Sequence, residues 1–186
     1  MLNTTVIALL GIGVTCCGPR GDDSDKKSPA KSPTVETVDA KAAKVAFERF
    51  KKLTGSWKGK STKGWTDTNS YRVIAAGSVV MGTSFDAHPN ETMITMIHMD
   101  GDNLMLTHYC VAKNQPRMVA SSISKDGSQI TFEFLDGTNM ASRDKGHMDK
   151  AVYQFESDER FTSQWTWYQD GKESWMEEIL YVREKE

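Results

Sequence analysis

After Leu53 the chain alternates apolar and polar residues in short runs separated by turn signals, a pattern of period two that predicts strands rather than helices. The runs fall near residues 56–63, 69–76, 78–85, 91–99, 103–110, 116–124, 128–135, 147–156, 160–168 and 172–184. Between them stand Asp100-Gly101, Asp126-Gly127 and Asp170-Gly171, dipeptides that favour tight hairpins with positive φ. Strands joined by local hairpins pair antiparallel. A sheet of about ten strands must curl, and closing it removes the edges that would otherwise pair with other chains. The fold class expected is therefore all-β, an antiparallel up-and-down barrel of about ten strands, with a two-sheet sandwich as the alternative. A barrel of eight or ten strands is wide enough to hold one small ligand.

The segment before the strands has a different period. Asp39 can cap a helix running to about Lys52, with Ala43, Ala46, Phe47, Phe50 and Leu53 on one stripe and Lys41, Lys44, Glu48, Lys51 and Lys52 mostly elsewhere. One short amphipathic helix thus precedes the barrel. Further upstream, Val6 to Val14 is an uninterrupted apolar run, too short for the roughly 20 residues of a spanning helix, and it reads as the core of an export signal. Cys16 and Cys17 follow where a bacterial lipoprotein carries its acylated cysteine. Residues 18–38 are rich in Pro, Ser, Lys and Asp and nearly devoid of apolar side chains, so they form a disordered tether. The expected organisation is an export or lipoprotein signal over 1–17, a tether over 18–38 and a single barrel domain over 39–186. The expected location is the cell envelope, through an N-terminal lipid anchor in the membrane, or otherwise the periplasm or the medium. A net charge of −2 leaves no electrostatic footprint for nucleic acid.

Candidate chemistry concentrates at Thr107-His108-Tyr109-Cys110 and, a few residues on, Asn114-Gln115-Pro116-Arg117. These polar groups interrupt an apolar pattern, as the polar groups of a small-molecule pocket do. Arg117 offers a planar fork for a carboxylate or phosphate, Asn114 both a donor and an acceptor, and His108 and Tyr109 a polar pair beside them. His147, at the start of a strand, joins the candidate ligand-binding set. A three-residue loop at Gly101 would put His98 and His108 on one face, and this arrangement is the one expected. Cys110 shares the His108 face and could form a Cys-His pair, though no orienting carboxylate is evident. His98, His108, Cys110 and His147 match no ligand spacing for zinc, so no metal is expected. Phe161, Trp165 and Trp167 can form an aromatic wall, and one of Glu177 and Glu178 must point inward, where a buried carboxylate needs a partner.

Phe50-x-x-Leu53-x-Gly55-x-Trp57-x-Gly59 resembles the entry of calycin-type barrels, which include lipocalins and the haem-binding nitrobindins. With Thr107-His108-Tyr109-Cys110, Asn114-Gln115-Pro116-Arg117 and Asp136-Gly137-Thr138-Asn139, residues 45–184 resemble an uncharacterised bacterial family of lipocalin-like barrels, distantly similar to nitrobindins. The resemblance implies that Arg183 on the last strand covers Trp57 on the first. It also raises haem. The second glycine of the nitrobindin motif would fall at position 61, which is Ser61, and residues 148–186 contain no His to serve as the axial ligand. No cofactor is therefore expected, and haem would need His98, His108, Tyr109 or His147 in another geometry. The leading expectation is a barrel binding a small amphipathic or aromatic molecule, its polar end fixed by Arg117, His108 and Tyr109. The alternatives are an isomerase- or hydrolase-like enzyme with His108 as general base, and a ligand-free envelope scaffold with a filled barrel.

Overall fold

A computed structural model describes residues 38–84 and 91–185. The export segment, Cys16 and Cys17, and all of the tether but Val38 lie outside the described residues. One helix, α1 (Ala40–Lys51), is followed by β1 (Gly55–Ser61), β2 (Thr66–Ile74), β3 (Val79–Ser84), β4 (Met93–Asp100), β5 (Asn103–Tyr109), β6 (Gln115–Ile123), β7 (Gln129–Thr138), β8 (His147–Ser157), β9 (Arg160–Gln169) and β10 (Lys172–Arg183). Each strand pairs antiparallel with its neighbours in sequence, and β1 pairs with β10 to close the barrel. The expected fold class is the one observed. Strand ends differ from the sequence reading by a few residues: β2 begins at Thr66, and β7 runs on to Thr138.

The Asp39 carboxylate caps α1, accepting from the backbone N–H groups of Lys41 and Ala42, both at 3.0 Å. Its stripe of Ala43, Ala46, Phe47 and Phe50 is buried, and Phe50 packs against Phe132, Tyr153 and Phe155 with ring centroids 5.9, 5.0 and 5.4 Å away. The helix therefore plugs one end of the barrel. Arg183 reinforces that end. Its guanidinium lies 4.3 Å from the Trp57 ring centroid and donates to the carbonyls of Lys52, Thr54 and Asp158, so the implied cation–π cover is present and also holds the end of α1. Gly59 faces inward below Trp57, where a Cβ would lie 2.7 Å from the Tyr181 ring.

One expectation about register fails. Asp100 pairs with Asn103, so the β4–β5 hairpin has a two-residue loop, with Gly101 at φ 58°. His108 then faces Thr95 inside the barrel, while His98 faces Met105 on the opposite side of the sheet. The sheet alternates every residue, so a loop one residue shorter than expected reverses their relation.

Candidate ligand-binding cavity

The barrel interior is layered along its axis. Aromatic side chains fill the α1 end, including Trp57, Phe132, Phe155 and Phe161. Tyr71, Tyr153 and Tyr181 come next and form the floor of a small inner chamber of about 40 Å³. Around it stand polar side chains from strands far apart in sequence: Asn69 on β2, Thr95 on β4, His108 on β5, Ser163 on β9 and Glu177 on β10. Above it, between Met93 and Met148, which line both spaces, the barrel opens into a mouth of about 560 Å³. Trp65, Trp167, Trp175, Cys110, Val111 and Ala112 line that mouth.

Two polar atoms in the chamber stand out. His108 is 5% exposed, and its Nδ1 lies 3.1 Å from the Thr95 hydroxyl, but its Nε2 has no partner. Asn69 donates to the Tyr71 hydroxyl, and its Oδ1 has no partner. A buried polar atom without a hydrogen bond costs roughly 1–3 kcal/mol, so such atoms mark where another group belongs. Burial pushes the His108 imidazole down to about 4. The ring is thus neutral near pH 7 and a weak base, which disfavours general-base catalysis there.

Glu177 is the inward carboxyl of its pair. It accepts from the Ser61 hydroxyl at 2.6 Å, so the residue at the departure from the nitrobindin glycine motif is the partner that the buried carboxyl requires. Burial raises its pKa, against the pull of Ser61, Trp65 and Lys63, while nearby Asp67 adds to the rise. Asp67 itself accepts from the hydroxyls of Tyr181 and Ser84. Cys110 stands at the mouth with its thiol pKa raised by burial. A protonated thiol above a neutral imidazole is not an activated Cys-His pair.

Of the residues expected to bind ligand, only His108 lines either cavity. Tyr109 is 46% exposed, because the strand alternates outward after His108. Arg117 stands on the outer surface in a forked ion pair with Asp136, which raises its pKa further, and such a pair contributes at most about 1 kcal/mol. Asn114 is fully buried but turned to the rim, where its Nδ2 donates to the Gly146 carbonyl at 2.8 Å. Two of the motifs that carried the resemblance face each other: Gln115, Pro116 and Arg117 pair with Thr138, Gly137 and Asp136. They clasp β6 to β7. His147 is also fully buried, its Nδ1 2.6 Å from the Lys145 carbonyl and its Nε2 3.1 Å from Asp149. Arg143 bridges Asp149 and stacks over Phe134 and Tyr168 beside it. This cluster fastens the segment between β7 and β8.

The sequence reading missed Trp65, Trp175, Asn69 and Ser163. Trp65 carried a signal, being a large aromatic directly after Gly64 in an otherwise polar turn.

No family model matches the chain, and no curated protein matches it in sequence. Solved structures do. A protein of unknown function from the DUF3598 family of Nostoc punctiforme superposes with a TM-score of 0.50 at 11% identity, over 73% of this chain and 49% of that one. Rv2717c from M. tuberculosis superposes with a TM-score of 0.50 at 12% identity, over 75% of this chain and 98% of that one. The chain spans about half the length of the Nostoc protein. At such identity the likeness concerns the fold alone, and a closed antiparallel barrel of ten strands fits a calycin-like fold. Among the described residues, no group of three His, Cys, Asp or Glu is arranged to hold a metal ion.

Proposed function

We propose that this protein is a binding barrel for a small amphipathic or aromatic molecule. The apolar body occupies the mouth between Trp65, Trp167 and Trp175, and the polar end reaches the chamber of His108, Asn69 and Glu177. The observation that carries this reading is the unpartnered His108 Nε2 and Asn69 Oδ1 beneath an open, tryptophan-lined mouth. A mouth of about 560 Å³ falls within the usual range for small-molecule sites, roughly 300–1,000 Å³. The test is uptake of N-phenyl-naphthylamine, a dye that brightens in apolar surroundings. Wild type should show saturable brightening at one dye per chain, and Ala112→Trp, which fills the mouth, should lose it. Equal brightening in both proteins would place the dye elsewhere.

The proposal extends to location. The apolar run over residues 6–14 and the cysteines after it support export and acylation at Cys16 or Cys17. The intact mass of membrane-extracted protein is expected to correspond to a chain starting at one of these cysteines plus its acyl groups. An unmodified chain starting beyond Gly18 would refute the anchor.

A further inference from the structure

We propose that the polar end of the ligand is a primary ammonium group, which makes the ligand an aromatic monoamine. This rests on the cavity-binding reading above. Three observations lead to it. First, the chamber is the narrower of the two spaces, about 40 Å³ against about 560 Å³ for the mouth, so the small polar head of a ligand belongs in it and the aromatic body in the mouth. Second, the two buried atoms of the chamber that lack a partner can both accept. Asn69 donates one amide N–H to Tyr71 and leaves Oδ1, neutral His108 presents an accepting Nε2 when Nδ1–H donates to Thr95, and an ionised Glu177 beside them can only accept. An ammonium has three donors and no acceptor. Third, the charges have one sign, since no Lys or Arg is among the residues lining the chamber, while Glu177 does line it and buried Asp67 lies nearby. The tryptophans above suit an aromatic body and add the attraction of π faces for a passing cation.

The groups that face Glu177 are Ser61 and Trp65, Asp67 behind it, exposed Lys63 at the rim, and His108, Tyr71, Tyr153 and Tyr181 around the chamber. His108 stays neutral above about pH 4, and burial keeps all three tyrosines protonated. Asp67 is already engaged by Tyr181 and Ser84, so the carboxyl left for the ligand is that of Glu177. Its ionised form binds ammonium, and its protonated form does not.

The experiment compares phenethylamine, phenethyl alcohol and hydrocinnamate by calorimetry on the full chain. The amine is expected to bind about tenfold or more tightly than the alcohol, the margin of a charge-assisted hydrogen bond over a neutral one, and the acid most weakly. Glu177→Gln should erase the advantage of the amine and leave the alcohol within about twofold. Should that variant fail to fold, the wild type decides the matter through pH. As the pH is lowered through the titration of Glu177, which burial holds above its ordinary value, the affinity for the amine should fall severalfold, with the alcohol unchanged. Hydrocinnamate binding as tightly as the amine, or the alcohol equalling it, overturns the ammonium assignment and leaves cavity binding standing. So does naphthylamine-dye uptake with no response to any of the three. Failure of the dye as well would overturn both.

Discussion

Phe50→Ala is expected to lower the stability of the barrel by about 3–5 kcal/mol, the usual cost of removing a fully buried phenyl ring from a core that cannot collapse around the gap. Phe50 has no exposed surface, and its ring meets Phe132, Tyr153 and Phe155 nearly edge-on or tilted. Of the other buried apolar side chains of α1, Ala43 and Ala46 are small and Phe47 is slightly more exposed, so Phe50 is the large side chain of the helix set deepest in the core. Equilibrium urea unfolding reads the change directly. A loss below about 1 kcal/mol would mean that α1 is not the plug described here. Dye uptake at the mouth should survive wherever the variant stays folded, because the plug and the mouth lie at opposite ends.

Acid should expose the burial of His108. The ordinary value for histidine is near 6.5, and burial holds the folded ring at about 4. The unfolded chain therefore gains a proton below about pH 6.5 that the folded chain refuses until about pH 4. Stability from this ring is complete above the first value and falls by up to roughly 3 kcal/mol by the second. Glu177 acts in the opposite direction, since its raised folded pKa makes the native state take up a proton first as the pH drops. The wild type alone would show only the sum. His108→Gln cannot titrate, so the stability gap between wild type and variant should move against the wild type by roughly 3 kcal/mol between about pH 7 and pH 4. A gap that stays constant would show that the ring reaches water.

The fold was legible because each level of pattern pointed the same way. Alternating runs marked the ten strands, Asp39 marked the start of α1, and Glu177 beside Glu178 required one inward carboxyl. The site was less legible. Residues such as Asn69, Thr95, Ser163 and Glu177 meet only because the barrel closes, and single-chain periodicity gives facing without giving height along the axis. A difference of one residue in a loop carried a large consequence. A two-residue loop after Asp100 separated His98 from His108. The clustered polar residues at Asn114 to Arg117 looked like ligand chemistry, and their geometry is that of a β6–β7 clasp, as an Asn-Gln-Pro turn also allows.

The central claim is that ligand enters the mouth and reaches His108, and heteronuclear NMR of the protein saturated with N-phenyl-naphthylamine tests it residue by residue. The indole N–H signals of Trp65, Trp167 and Trp175 and the ring signals of His108 should shift, while Trp57, buried beneath the Arg183 guanidinium, and the outer Arg117 stay where they are. Shifts at Arg117 or His147 with His108 and the three mouth tryptophans unmoved would contradict the account.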